Sequence, residues 1–459
     1  MADLGVLDLP APGGALLGGC LGDILLRPWF DALALPAVTR GFFPLSRAWA
    51  AANLAGASPE RFLVEADLPA AALGRVGPAL ARLAARRRAH DAAAAAWEDA
   101  FFAAAAAPDG RLAEIEAARM AAAQTWMNGR RLFLPLHLRH PFPAVRWQLP
   151  GEAEVAARHG ARLARPEAAF PAPPLPAIKR SHSVRRDPGA MSWLRFPACV
   201  GGAPDTAWAR VVTPPGRVDP PTLIFLHGIG VETEFWRADL ACIDRLAASG
   251  IRIVRPQGPW HGRRRREGWY GGEPIMAQGP LGLLDLVAAW VAEVAILIAW
   301  ARATSRGPVG LGGISLGAFV SQIAATAADW PAALRPDALL LIGTTGAVAD
   351  AALAGSLGRA LGVAPRLAER SWSAAALRRW APLLEPRGAP ALPSSAIAML
   401  IGTRDTVAPT AGGLALARRW RVPAENLFLR RQGHFSVALG LERDAAPLAR
   451  LAAILQAMR

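Results

Sequence analysis

The stretch GPVGLGGISLGAFVSQIAATAADW, residues 307–330, changes character at Ser315. The run before the serine, PVGLGG, is short and apolar and is typical of a buried strand. The residues after it repeat apolar side chains at helical spacing. Ser315 lies between Gly313 and Gly317 in the pattern G-x-S-x-G, in which two glycines keep a sharp strand-to-helix turn free of clashes. The stretch therefore predicts a strand–turn–helix unit that exposes the serine hydroxyl.

A serine hydroxyl is a weak nucleophile unless a neighbouring base removes its proton and a third group orients that base. In sheets with such a turn, these partners follow in the chain order serine, acid, histidine. Asp405 comes just after the apolar run AIAMLIG, and His434 comes just after NLFLRR. Both are at strand ends, where this type of sheet collects its site residues. We predict Ser315 as the nucleophile, His434 as the base and Asp405 as the orienting acid, with Asp350 as the weaker candidate for the acid.

A second apolar run, TLIFLHGIG, predicts a strand that ends in His227 and Gly228. A hydrolase built on such a turn places one half of its oxyanion hole in this loop. We therefore expect the backbone amides of Ile229 and Leu316 to face the negative charge that develops during reaction. We interpret His227 as a structural residue whose ring braces the loop.

The chain changes pattern along its length. Residues 1–164 have helical periodicity and predict an N-terminal helical domain, and residues 165–189 are rich in proline and arginine and predict an extended linker. In residues 190–459, short apolar runs alternate with helical stretches. This alternation predicts an α/β fold, a mostly parallel sheet flanked by helices, whose first two strands form an antiparallel edge. Residues 343–395 lie where such folds often insert a cap.

The region from about residue 189 to 459 resembles the α/β-hydrolase superfamily in LHGIG, GGISLGA, GTRDTVAP and QGHF. The resemblance implies an α/β-hydrolase fold and a serine hydrolase that cleaves a carboxylic ester or thioester through an acyl-enzyme. The loop PQGPWHGRRRREGWYGG, followed by a long apolar helix and GGISLGA, is also similar to bacterial relatives of the alpha/beta hydrolase domain-containing protein 18 family. The N-terminal region has no counterpart there, so the resemblance implies no particular substrate.

Other functions remain open at this point. A peptidase or an acyltransferase would share the same residues, and a non-catalytic module that binds an anionic partner is an alternative of another class. Arg263, Arg264, Arg265 and Arg266 follow the strand RIVRPQ and should open on the same sheet edge as Ser315. Four consecutive arginines are most often a solvated surface. The functional interpretation is that they bind a substrate carrying a phosphate or carboxylate.

Composition restricts the partners and the location. The formal charge of +15 comes almost entirely from arginine, since Lys179 is the single lysine, and alanine is heavily used. We interpret much of the basicity as the codon bias expected of a GC-rich genome. We expect a small-molecule or lipid ester as substrate and no nucleic acid, and leave peripheral contact with an anionic membrane open. The three cysteines have neither metal-ligand nor redox spacing. We expect no metal, no cofactor and a cytoplasmic location. The apolar residues 281–301 predict a helix packed on the sheet.

Overall fold

A computed structural model describes residues 27–70, 76–230, 241–327 and 329–458. Within them, the part before residue 165 is helical, in agreement with the periodicity of the sequence. Its helices are α1 (Pro28–Ala37), α2 (Phe43–Ala55), α3 (Pro59–Ala66), α4 (Gly77–Phe101), α5 (Asp109–Met127), α6 (Leu134–His137) and α7 (Glu152–Ala164). A π-helical turn, Val38–Phe42, joins α1 directly to α2. The first two helices therefore form one continuous segment.

One sheet of ten strands runs through the rest of the described chain. Its strands are β1 (Lys179–Arg180), β2 (Val184–Arg186), β3 (Gly189–Val200), β4 (Ala203–Thr213), β5 (Thr222–Leu226), β6 (Arg252–Pro256), β7 (Val309–Ile314), β8 (Ala338–Ile342), β9 (Ile397–Gly402) and β10 (Leu427–Arg430). The order is β1-β3-β4-β6-β5-β7-β8-β9-β10, with β2 also paired to β3. The six strands β5 to β10 are parallel to one another. The strands β1, β2 and β4 each pair antiparallel with β3. The predicted mostly parallel sheet with an antiparallel edge is confirmed.

Helices cover both faces of the sheet and build its two hydrophobic cores. They are α8 (Ala241–Asp244), α9 (Glu273–Ala277), α10 (Gly279–Thr304), α11 (Leu316–Ala325), α12 (Val348–Ala354), α13 (Ser356–Leu361), α14 (Val363–Ala368), α15 (Ala374–Arg379), α16 (Ala381–Leu384), α17 (Thr410–Arg419), α18 (His434–Leu439) and α19 (Ala446–Ala457). Among the described helices, α10 has the length and apolar composition to cross a membrane, but most of its side chains are buried inside the protein. It is the predicted helix packed on the sheet.

The helical region and the sheet share hydrophobic clusters. Trp97 of α4 packs edge-on against Trp193 of β3, with ring centroids 5.5 Å apart, and contacts Trp208 of β4 at 6.0 Å. Part of the predicted linker also belongs to the sheet, because β1 and β2 lie within residues 165–189 and pair with β3. The reason is local: Val184 is buried while the arginines beside it are exposed, so this stretch has one apolar face to pack.

The candidate cap, residues 343–395, contains the short helices α12 to α16 between β8 and β9. Of these, α13 contacts both α1 and the π-helical turn. Leu357 and Leu361 of α13 pack on the same hydrophobic cluster as Val38 and Phe42 of the turn. The role of these helices as a cap over a substrate stays a prediction.

Candidate active site

Ser315 lies at the end of β7, where the chain turns sharply into α11. Its backbone has φ 53° and ψ −118°, a conformation that residues other than glycine rarely adopt. A Cβ atom at Gly313 would lie 2.4 Å from the carbonyl carbon of Gly317, and one at Gly317 would lie 2.3 Å from the carbonyl oxygen of Leu226. The Ser315 amide donates to the carbonyl of Ile342 on β8 at 2.9 Å. Both glycines are therefore required for the turn that exposes the serine.

The structure brings the three predicted side chains together. His434 Nε2 lies 2.8 Å from Ser315 Oγ, and His434 Nδ1 lies 2.7 Å from Asp405 Oδ2. The other carboxylate oxygen of Asp405 accepts from the amides of Val407 and Ala408 at 2.9 and 2.8 Å. Because Nδ1–H donates to this fixed carboxylate, Nε2 is left to accept the proton of the serine hydroxyl.

The charge around His434 favours its protonated form. Burial lowers the pKa of the imidazole, but the charge and hydrogen bond of Asp405 together with the charge of Asp31 outweigh this effect, so the pKa of His434 is raised above its ordinary value. An imidazolium formed at His434 would be stabilised in the same way.

His227 braces the loop after β5, as the sequence indicates. Burial, followed by the nearby His261, lowers the pKa of His227 well below its ordinary value, so the ring is neutral. Its Nε2 accepts from the amide of Gly258 at 2.9 Å, which leaves Nδ1–H to donate to the carbonyl of Gly228 at 2.7 Å. The loop is thereby tied to the segment that follows β6.

The same loop lies beside the nucleophile. A Cβ atom at Gly228 would be 3.5 Å from the Cβ of Ser315, and Ile229 is the next residue along the loop. Leu316 begins α11 directly after the serine. The amide of Leu316 therefore follows Ser315 in the chain, and that of Ile229 belongs to the loop beside it. The function of these two amides as an oxyanion hole stays a prediction.

Asp350, the weaker candidate for the acid, is not part of this arrangement. It lies on α12 with its carboxylate 3.1 Å from the guanidinium of Arg378, and both side chains are exposed. Asp405 has the contact with His434 instead.

The structure gives the arginines of the predicted substrate-binding cluster protein partners, and their role in binding a substrate stays a prediction. The side chain of Arg264 is fully buried, with Nη2 at 2.6 Å from Glu293 Oε1 and 2.7 Å from Asp205 Oδ2. The guanidinium of Arg263 pairs with Glu98 and lies 4.5 Å from the ring centroid of Trp208. The guanidinium groups of Arg263 and Arg264 are therefore both paired with carboxylates of the protein.

The other two arginines of the cluster lie over aromatic rings. Arg265 is 4.7 Å from the ring centroid of Trp49 and 4.8 Å from that of Trp126, and Arg266 is 5.1 Å from that of Trp260. Since Trp49 and Trp126 belong to α2 and α5, the loop after β6 lies under the N-terminal helices. The cluster anchors those helices to the sheet, and no local pattern in the loop reveals these distant partners.

One contact at the site comes from a residue that the sequence does not single out. Asp31 of α1 accepts a hydrogen bond from the backbone amide of Phe435, the residue after the candidate base. The two residues are 404 positions apart in the chain, and α1 has no motif that predicts the contact. Elsewhere, the described residues contain no group of three or more His, Cys, Asp or Glu side chains that could hold a metal ion.

Comparison with known proteins gives one family. The model described as Alpha/beta hydrolase family matches residues 223–453, just over half of the 459-residue chain. The matched stretch runs from β5 into α19 and includes Ser315, Asp405 and His434. No curated protein matches the sequence.

Solved structures similar to this chain include hydrolases of several kinds. Acetyl xylan esterase 1 from Thermoanaerobacterium sp. JW/SL YS485 is 16% identical with a TM-score of 0.42, over 64% of this chain and 96% of that one. Est1E from Butyrivibrio proteoclasticus, bound to ferulic acid, is 15% identical with a TM-score of 0.36, over 56% and 97%. The acylaminoacyl peptidase of Pyrococcus horikoshii is 12% identical with a TM-score of 0.39, over 62% of this chain. The match spans only 48% of the peptidase, about half its length.

Proposed function

The chain belongs to the alpha/beta hydrolase family, and on that premise we propose that it is a serine hydrolase that cleaves a carboxylic ester or thioester through an acyl-enzyme. One observation carries the proposal: Ser315, His434 and Asp405 form a continuous chain of hydrogen bonds of 2.8 and 2.7 Å. This is the arrangement in which a base activates a hydroxyl and an acid orients the base.

The reaction proceeds in two halves. Ser315 Oγ attacks the carbonyl carbon of the ester while His434 Nε2 takes the hydroxyl proton. The resulting oxyanion lies near the amides of Ile229 and Leu316, and His434 gives its proton to the leaving alcohol or thiol as the acyl-enzyme forms. A water molecule then repeats these steps on the acyl-enzyme, which releases the acid and restores the serine.

The substrate we propose is a small-molecule or lipid ester in the cytoplasm. An acyltransferase would pass the same acyl group to an alcohol instead of water, and a peptidase would use the same residues on an amide. The similarity to relatives of the alpha/beta hydrolase domain-containing protein 18 family stays a prediction. A panel of nitrophenyl esters of increasing acyl length, assayed with and without added alcohols, tests the acyl chain and the acceptor.

The proposed nucleophile is tested by replacing Ser315 with alanine. We expect Ser315→Ala to lose both labelling by a fluorophosphonate and turnover of the esters while it keeps the circular dichroism of the wild type, because the hydroxyl is the atom that becomes acylated. Ser321→Ala is a matched control, since Ser321 lies on the same helix and its hydroxyl donates within the helix to the carbonyl of Gly317 at 2.8 Å. Equal labelling of Ser315→Ala and the wild type would contradict the proposal.

A further inference from the structure

We propose that Asp31, on the first helix of the N-terminal region, is a positioning residue for the base His434. The inference rests on the proposed function, because it assigns a role to Asp31 in the same reaction. It also gives a task to the N-terminal helices, for which the family resemblance supplies no counterpart. The segment that carries Asp31 would then complete the active site.

The contacts of Asp31 hold the chain after His434. Its Oδ1 accepts from the amide of Phe435 at 2.6 Å, and its Oδ2 accepts from the hydroxyl of Ser436. The Ser436 amide lies 3.4 Å from the same oxygen. The hydroxyl oxygen of Ser436 in turn accepts from the amide of Gly433 at 2.9 Å. The hydrogen bonds therefore engage the residues on both sides of His434 and restrain the backbone that carries the imidazole.

Gly433 gives independent evidence that the site is shaped around Asp31. A Cβ atom at Gly433 would lie 2.3 Å from the carboxylate carbon of Asp31 and 2.6 Å from each of its oxygens. The backbone of Gly433, with φ −92° and ψ −161°, is open to any residue. A side chain at this position is thus excluded by the carboxylate of Asp31 and not by the backbone conformation.

The segment that carries Asp31 is firmly held on the catalytic part of the chain. The π-helical turn continues α1 into α2, where Phe43 stacks on Tyr270 with ring centroids 5.6 Å apart. Farther along α2, the buried Arg47 pairs with the buried Glu273 at 3.0 Å. These anchors fix α1 against the loop that Asp31 contacts.

The same segment reaches the other half of the site. A Cβ atom at Gly230, the residue after Ile229, would lie 3.4 Å from a ring carbon of Phe43 and 3.9 Å from one of Phe42. One continuous helical segment therefore touches both the loop proposed to hold the oxyanion and the loop of the base.

Asp31 also acts on the charge of the base. Among the described residues, the charged groups that act on His434 are Asp405, from the loop after β9, and Asp31, from α1, and both raise the pKa of the imidazole. A residue that only stabilised the fold would leave this pKa unchanged. The pH profile of the enzyme therefore separates positioning of the base from a general structural role.

The first experiment measures kcat, KM and the pH profile of full-length Asp31→Ala and Asp31→Asn with p-nitrophenyl butyrate. We expect kcat to fall about 10- to 100-fold in Asp31→Ala with little change in KM, since a small displacement of a catalytic group has effects of that order. In both variants the acid limb of kcat/KM should move to lower pH, because a carboxylate that raises the pKa of His434 is removed. Asp31→Asn keeps a carbonyl oxygen for the Phe435 amide and is the variant to use if Asp31→Ala does not fold.

Asp109→Asn is the matched control. Asp109 is also a carboxylate of the N-terminal region, and it accepts from a backbone amide of the catalytic part, that of Arg185, at 3.0 Å. That contact is on β2, which pairs with β3 at the far side of the sheet from β7. Asp109→Asn should retain wild-type kcat and the wild-type pH profile.

The second experiment couples Asp31 to Gly433. In the wild-type background, Gly433→Ala should displace the carboxylate of Asp31 and lower kcat. In the Asp31→Ala background that carboxylate is absent, so Gly433→Ala should cause little further loss of kcat. An equal loss from Gly433→Ala in both backgrounds, or wild-type kcat and pH profile in the Asp31 variants, would overturn the proposal. These outcomes are distinct from failure of the proposed function, which would appear as turnover and labelling in Ser315→Ala.

Discussion

Replacing Arg264 with methionine should remove a large part of the stability of the chain. The fully buried guanidinium of Arg264 donates to both oxygens of Glu293, at 2.8 and 2.6 Å, and to the carbonyl of Gln257 at 2.8 Å. Methionine has a similar length but no charge, so Arg264→Met leaves the carboxylate of Glu293 buried without its cation. Breaking a buried pair from one side costs about 3–5 kcal/mol, against a typical total of about 5–15 kcal/mol for unfolding.

The loss should depend on pH through Glu293. Burial raises the pKa of Glu293, while Arg264 opposes that shift, so the pKa should rise further in Arg264→Met. A carboxyl whose pKa is higher in the folded than in the unfolded chain binds more protons when folded, and its unfavourable contribution grows as pH rises through that interval. The free energy of unfolding lost by the variant should therefore be greatest at a pH above the folded pKa of Glu293. The loss should shrink as the pH is lowered toward the ordinary pKa of glutamate, about 4.3.

Urea denaturation followed by circular dichroism and by tryptophan fluorescence measures this loss. Arg366→Met is the matched control, because Arg366 and its partner Glu369 are half exposed and such pairs contribute about 0–1 kcal/mol. The double variant Arg264→Met/Glu293→Gln should recover part of the loss, since the unpaired charge is removed. A loss below about 1 kcal/mol in Arg264→Met, or no recovery in the double variant, would refute the reasoning.

Three further predictions concern catalysis. Asp405→Asn should lower kcat by about 10⁴-fold while Asp350→Asn keeps it, as ester turnover would report, and the reverse result would mean that the acid is wrongly assigned. The acid limb of kcat/KM should have its midpoint above about 6.5, because the pKa of His434 is raised and the protonated imidazole cannot act as base; a midpoint below that value would contradict the geometry. Replacing Arg263 and Arg265 with glutamine should change kcat/KM equally for neutral and anionic esters at low and moderate salt, and a selective loss for anionic esters would instead support the substrate-binding role.

Features written in short stretches of the chain could be predicted. The turn at Ser315 depends on two glycines within five residues, and Asp405 and His434 each follow an apolar run that forms a strand. Parallel strands end at one edge of the sheet. The positions of Ser315, Asp405 and His434 at strand ends were therefore enough to predict that their side chains lie together.

Features that depend on distant packing could not be predicted in this way. The run Arg263–Arg266 has the pattern of a solvated or ligand-binding loop, yet its partners Glu293, Trp49 and Trp126 lie on other elements. Asp31 is an ordinary acidic residue in a helix, and the role proposed for it depends on a hydrogen bond to a residue 404 positions away in the chain. A local pattern shows what a side chain can do, whereas its partners in the fold decide what it does.

Peptide mapping of the fluorophosphonate adduct by mass spectrometry tests the central claim most directly. The full-length protein is labelled at pH 8, digested, and compared with Ser315→Ala treated in parallel. A serine activated by His434 should carry one adduct per chain, on the peptide that contains Ser315, and the variant should carry none. Ester turnover accompanied by an adduct on another residue, or by no adduct at all, would contradict the account.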